Sequence, residues 1–377
     1  MFGHPPRRPL QLLAITGLTL ALTGLTTTPA FASDRHHADD RSSYQQLNEV
    51  SDMPGAAKVL DPNLVNAWGL AFGPTTPLWV SNNASNTSTL YQGTATPSSP
   101  VTPAALIVKI PGAGAPTGVV FNAGTGFALT TDGKSGPAKF IFAGENGQIF
   151  GWNPTGVDGT SATQAAMTAN AVYKGLAMVT VNQKQYLLAA NFHDNRIDVF
   201  NDHFAPVMMH HAFASVGIPK GYAPFDVALL GNRVFVSYAK QDAARHDDVA
   251  GAGHGFVNVF STSGRFLDRF SSRGVLNSPW GLAIAPKGFG EFSGDVLVGN
   301  FGDGRIHAFD PRSGELEGTL RTSNGKPIVI DGLWGLLPGN GTAGQTSDVW
   351  FSAGPNGETH GLLGILRASG RTDHDDD

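Results

Sequence analysis

Trp280-Gly281-Leu282-Ala283, followed by Val296-Leu297-Val298-Gly299-Asn300-Phe301-Gly302-Asp303-Gly304-Arg305-Ile306-His307-Ala308-Phe309-Asp310, is the stretch that decides the fold. Its opening phrase returns as Trp68-Gly69-Leu70-Ala71, Thr117-Gly118-Val119-Val120, Lys174-Gly175-Leu176-Ala177, Phe225-Asp226-Val227-Ala228 and Trp334-Gly335-Leu336-Leu337. The second residues of these phrases are 49, 57, 51, 55 and 54 positions apart. Six copies at a near-constant period mean six similar structural units.

Within a unit, a β-branched or aromatic run leads to a polar turn and then to a second such run. Leu187 to Phe200 repeats the arrangement of Val296 to Asp310. Three turns carry Asn146-Gly147, Asp303-Gly304 or Asn356-Gly357, dipeptides that accept positive φ and close tight hairpins. A further strand, as at Arg265 to Phe270 or Glu315 to Leu320, precedes the next phrase. Each unit therefore reads as a four-stranded antiparallel meander, and six of them make an all-β, six-bladed β-propeller. Tyr44 to Val50 precedes Trp68 much as Glu315 to Leu320 precedes Trp334. It is expected to be the outer strand of the last blade, Leu333 to Arg367, closing the ring. Tyr44, Leu47 and Val50 recur every three residues, which is not strand alternation. A seven-bladed ring or a two-sheet sandwich is the alternative architecture.

The composition agrees. The 377 residues include 48 Gly and 24 Pro, which interrupt long helices, while a hydrophobic content of 41% excludes disorder. No cysteine is present, so a disulfide scaffold, a thiolate zinc site and a Cys nucleophile are ruled out. A formal charge of −5 leaves no nucleic-acid footprint.

Residues 1–32 read as a secretory signal. Arg7 and Arg8 precede the apolar run Leu10 to Leu25, and Ala30-Phe31-Ala32 supplies a small-x-small cleavage site after Ala32. The apolar run is shorter than the roughly 20 residues a membrane span needs. Residues 33–43 are then a polar linker, 44–367 the propeller and 368–377 an acidic tail, and the chain is expected to be exported and monomeric.

The Leu-x-Val-x-Asn, Gly-x-Ile and aromatic-Asp pattern of Val296 to Asp310 resembles NHL-type propeller repeats. Asp61 to Leu70, with Val80-Ser81-Asn82-Asn83, resembles a family of secreted bacterial proteins of unassigned function. The resemblance implies a propeller and export, and it implies no settled activity.

In a four-stranded meander, the turn between strands two and three lies on the same side as the entry into strand one. Asn66, Tyr222, Asn277 and Asp331 at the entries therefore share one channel mouth with Asn82, Asn83, Glu145, Asn191, His193, Tyr238 and Asn300 at the turns. This donor set suits hydrogen bonding to a small molecule, glycan or protein, with Asn66, Asn82, Asn191, Asn277 and Asn300 as contacts. It equally suits turn building, for which Asn is apt. Asn191, Asn300 and Asp331 are candidate ligands for Ca²⁺ or another divalent cation. Trp280 and Trp334 stand at one repeat position with Trp68 and Phe225, which serves either core packing or stacking on a sugar. The fourth unit replaces its short turn with Ala239 to Gly255, carrying His246, Asp247, Asp248 and His254. His193 or His246, the latter oriented by Asp247 or Asp248, is a candidate proton carrier in a metal-assisted hydrolase or lyase, the alternative to a binding protein, and His246 with either aspartate could equally hold a metal.

Overall fold

The computed structural model describes residues 42–369 other than 113, 132 and 155–158. The expected export signal, nearly all of the linker and all but two residues of the acidic tail lie outside the described residues.

The described residues form six radial sheets, antiparallel except where the short strand Val59–Leu60 pairs parallel with Ser43–Ser51, and one small ribbon, Ala128–Thr131 with Lys134–Pro137. Blade 1 is Ala67–Ala71, Leu78–Asn82, Thr87–Gln92 and Thr102–Lys109. Blade 2 is Pro116–Phe121, Phe140–Gly144, Gln148–Trp152 and Thr163–Met167. Blade 4 is Tyr222–Leu230, Arg233–Lys240, Gly255–Ser261 and Phe266–Ser272, and blade 5 is Pro279–Ile284, Val296–Asn300, Ile306–Phe309 and Leu316–Thr319. Blade 3 departs from the expected four strands: it has three, Tyr173–Val181, Lys184–Asn191 and Arg196–Asn201. Beyond them only an isolated bridge joins Phe200 to Pro206.

The ring closes as the sequence indicated. Ser43–Ser51 pairs antiparallel with Leu362–Ser369, outside Val349–Ala353 and Leu333–Pro338, to complete blade 6. The irregular spacing of its apolar residues has a physical cause. The register shifts between Asn48 and Val50, so Glu49 is bulged and the face alternation resets. Tyr44, three residues before Leu47 in the regular stretch, packs toward blade 5, stacking on Phe292 at 5.7 Å and donating its hydroxyl to the Phe289 carbonyl at 3.1 Å, and the bulge brings Val50 onto the side of Leu47. Leu47 and Val50 instead pack toward blade 1.

Apolar side chains gather in six wedges, one between each pair of neighbouring blades, and one axial cluster. Both faces of most strands are therefore buried, which explains near-continuous apolar runs where a half-exposed sheet would alternate.

The phrase glycines are required by approach at the axis. A Cβ on Gly69 would lie 2.8 Å from the Val119 amide nitrogen of the next blade, and one on Gly118 2.5 Å from the Leu176 nitrogen. One on Gly281 would lie 2.6 Å from the Trp334 carbonyl oxygen, and one on Gly335 2.8 Å from the Trp68 carbonyl oxygen. Each glycine thus lets its inner strand press against the next one around the circle, across the closure included. Turn glycines have a different reason: Gly147 and Gly304 adopt positive φ, and Asn356 with Gly357 both do.

Candidate functional site

The inner strands arrange the axis in levels. From the predicted mouth inward come Asn66 at the strand entry and then a ring made by the first phrase residues, Trp68, Thr117, Lys174, Phe225, Trp280 and Trp334. The aromatic members form a buried plug. Trp68 and Trp334 stack with ring centroids 3.5 Å apart, while Trp280 meets them edge-on at 6.0 and 5.6 Å. Phe301 covers the other face of Trp334 at 4.0 Å. Trp334 is therefore stacked between other rings, while Trp280 packs against the pair at right angles and donates its indole N–H to the Lys174 carbonyl at 3.1 Å.

Lys174 is the exception in this ring and the centre of the site. It is 1% exposed, and its ammonium stands 5.3 Å from the centre of the Trp68 ring. A buried lysine is tolerated only when paired. Lys174 pairs with the Glu145 carboxylate from the blade 2 turn and with Asp247 Oδ1 from the long blade 4 loop at 3.1 Å. Burial works to lower the Lys174 pKa, but the two carboxylates outweigh it and hold the ammonium above the ordinary lysine value. Its role is that of a fixed positive charge, since it is kept protonated at neutral pH.

Polar groups from three further segments join this centre. Asn83 donates Nδ2 to Glu145 Oε2 at 2.9 Å, and Asn66 donates Nδ2 to Asn83 Oδ1 at 3.3 Å and to Glu358 Oε2 at 2.8 Å. Glu358 arrives on a sharp turn in which Asn356, Gly357 and Glu358 all have positive φ. Two of these three are not glycine, so the turn stores strain of roughly 1–3 kcal/mol per such residue. Burial raises the Glu358 carboxyl above the usual range, opposed by the Asn66 bond and the Lys174 charge. Three indole or amide atoms at this level, Trp68 Nε1, Trp334 Nε1 and Asn66 Oδ1, are buried without a hydrogen-bond partner.

The blade 4 loop is tied down over the mouth. Asp242 accepts from the His246 amide at 2.9 Å, its own amide donates to the Asp247 carbonyl at 2.8 Å, and Gly251 N–H donates to Asn277 Oδ1 at 2.7 Å. His246 Nδ1 lies 2.9 Å from Asp247 Oδ1, the same oxygen that accepts from Lys174. Burial tends to raise the Asp247 carboxyl, yet Lys174 and His246 hold it below the ordinary aspartate value. Glu145, His246 and Asp247 each offer a ligand atom within 4.8 Å of the others, so these three are the residues positioned to hold a cation.

The other sequence candidates are distributed around this centre. Asn82 donates to the Thr87 and Thr89 hydroxyls. Asn191 donates to Asp194 and Asp198 and accepts from the Asp194 amide. Asn300 accepts from the Asn277 amide and donates to Val275 O and Asp303. Asp331 is exposed and accepts from the Asn356 amide at 2.8 Å. Asn191, Asn300 and Asp331 thus each hold a local turn, and the carboxylate and imidazole groups that converge are a different set. His193 pairs with Asp194 at 2.8 Å in a separate network on blade 3. Lys174 and Glu358 were not among the sequence candidates. The signal for Lys174 was present, a lysine at a repeat position otherwise held by Trp, Phe and Thr. Glu358 carried no such signal, because only the left-handed turn brings it to Asn66.

Uncharacterized protein L690 of Acanthamoeba polyphaga mimivirus is 33% identical over 336 residues, which cover 84% of each chain. The chain belongs to its family. Uncharacterized protein R648 of the same virus is 32% identical over 326 residues, covering 84% of this chain and 78% of its own. These relatives are viral, where the sequence resemblance pointed to bacterial secreted proteins. No family model matches the chain. Among solved structures, a streptogramin B lyase aligns with a TM-score of 0.48 at 12% identity, covering 87% of this chain and 98% of its own. No helix among the described residues is long and apolar enough to cross a membrane.

On the far side of the plug lies the level of the phrase glycines, where blade 4 has Asp226. Its carboxyl is 7% exposed, and burial raises its pKa well above the usual carboxylate range, opposed by a bond from the Val227 amide. An acid whose pKa rises on folding loses stability as pH climbs from its unfolded value, about 4, toward its folded value, because only the unfolded chain releases the proton freely. Asp226→Asn should therefore melt at a higher temperature than the wild type at pH 8. The gap should shrink toward pH 4. Thermal melts across that range check it, and a gap independent of pH would show that Asp226 is not buried as an acid.

Proposed function

We propose that the protein binds a small polyhydroxylated ligand, such as an extracellular saccharide, at the mouth above Lys174, and that residues 1–32 direct its export. One observation carries this reading. A buried lysine, three carboxylates and two asparagines, drawn from blades 1, 2, 3, 4 and 6, meet over an aromatic floor at the propeller axis. Buried charged groups drawn together at a channel mouth are the default place to look for a binding site. Sugar hydroxyls both donate and accept. They can donate to Glu145 and Asp247, whose side chains are 13% and 66% exposed, and accept from Asn83, while Lys174, buried beneath them, fixes the two carboxylates. The His246 and Asp247 pair covers the site from the loop side.

A second reading has its own observation. Glu145, His246 and Asp247 offer a cation three ligands, and a bound metal there would supply Lewis-acid activation for a hydrolase or lyase. Lys174 weighs against this reading, because its ammonium already sits between the two carboxylates that a cation would need.

The test is intrinsic tryptophan fluorescence and calorimetry of the full chain against neutral mono- and disaccharides and, separately, against Ca²⁺. A saturable response to a saccharide that is lost in Glu145→Gln supports the binding reading. A response to Ca²⁺ alone, lost in the same variant, transfers the site to the metal reading. Silence toward every probe overturns both.

A further inference from the structure

A second site lies at the opposite end of the axis. Below the plug the channel opens into a cavity of about 360 Å³, lined by Leu70, Val119, Leu176, Val227, Leu282 and Leu336, the third residue of each phrase. Every lining side chain is apolar or aromatic except Asp226. Five of the six inner strands have glycine at the level where Asp226 stands. Its side chain is accommodated by one of those glycines: a Cβ on Gly175 would lie 2.7 Å from Asp226 Cα and would collide with its Oδ1. The Asp226 backbone amide is satisfied by Ser237 Oγ at 3.0 Å. The carboxyl forms no ion pair among the described residues. A buried, unpaired acid at a level where the fold otherwise has no side chain is costly, and it faces a space of small-molecule size.

We propose that this cavity binds a small primary amine with a compact apolar tail, an alkyl- or arylalkylammonium, whose ammonium pairs with Asp226. The chemistry of the walls selects this class. Asp226 is the one charged group that the walls offer, which favours a single cationic head over a hard cation that takes six or more oxygens. An anion would face the acid. An ammonium gains a charge-assisted hydrogen bond from Asp226 while its tail fills the cavity. On binding of the ammonium, the Asp226 carboxyl ionises to form the pair and its proton leaves to solvent.

The experiment is calorimetry of the full chain with phenethylamine and hexylamine, and with hexan-1-ol as the neutral control. Titrations run from pH 6 to 8 in buffers of low and high ionisation enthalpy. The expected result is saturable amine binding that releases close to one proton and tightens by up to about tenfold per pH unit while the free acid holds its proton. Asp226→Asn should weaken amine binding at least tenfold and remove the pH dependence, with cooperative melting confirming its fold. Glu145→Gln should bind the amines as the wild type does, which separates this site from the mouth. The wild-type proton count stands whether or not the Asn variant folds. Absence of amine binding, or alcohol binding as tightly as amine with no proton released, overturns the proposal.

Discussion

Replacing Lys174 with Met should destabilise the protein by about 3–5 kcal/mol, the cost of leaving a buried charge without its partner. Methionine fills much the same volume, so the loss is chiefly electrostatic. Glu145, whose side chain is 13% exposed, would lose its counter-charge and keep only the Asn83 hydrogen bond, whereas Asp247, 66% exposed, would recover solvent. The Glu145 leg should therefore dominate, because exposed pairs contribute at most about 1 kcal/mol. Urea denaturation of Lys174→Met, Glu145→Gln and the double variant would show it. The double variant should cost clearly less than the two single changes added together. Additive costs would mean that the lysine and glutamate do not act as a unit. A Lys174→Met protein as stable as the wild type would remove the central charge from the account of the mouth.

The second large effect is expected at the axial glycines. Gly118→Ala places a methyl group 2.5 Å from the Leu176 backbone nitrogen, and no side-chain rotation can relieve a contact with backbone. Overpacking of this kind costs roughly 3 kcal/mol, and more when the ring cannot widen. Each blade is wedged between two others, so widening one interface strains the remaining five. Gly325→Ala is the informative comparison. Gly325 sits in an exposed turn at positive φ with nothing within 4 Å of a Cβ, so its cost is limited to backbone strain of about 1–2 kcal/mol. Denaturation midpoints for the two variants should differ in that order. Equal loss at both positions would show that glycine at the axis is a matter of backbone conformation and not of strand crowding.

The ring and its six units were legible in the sequence because one phrase recurs six times, five of them with glycine, and the closure because Tyr44 to Val50 precedes Trp68 as Glu315 to Leu320 precedes Trp334. A phrase with glycine at its second position marks an inner strand, since an inner strand must meet its neighbour without a Cβ. An Asn-Gly or Asp-Gly pair marks a turn, since its backbone accepts positive φ. The bulge at Glu49 was not legible, because a slipped register leaves no composition of its own, only the three-residue spacing of Tyr44, Leu47 and Val50. The missing outer strand of blade 3 was likewise invisible to a reading that gave all six units the same form.

The site divides along the same line. The sequence by itself put Asn66, Asn83, Glu145 and the His246-Asp247 loop at one mouth, since meander geometry alone assigns turns to sides. It also contained the two departures from the repeat, Lys174 where other blades have Trp, Phe or Thr, and Asp226 where they have Gly. What those departures do was decided only by tertiary structure. Whether a lysine at the axis is exposed or buried depends on the depth of the plug around it. Its partners Glu145 and Asp247 are 29 and 73 residues away in the chain. Charges so far apart in sequence become neighbours only when the ring closes, and a buried ion pair exists only where the surrounding blades exclude water.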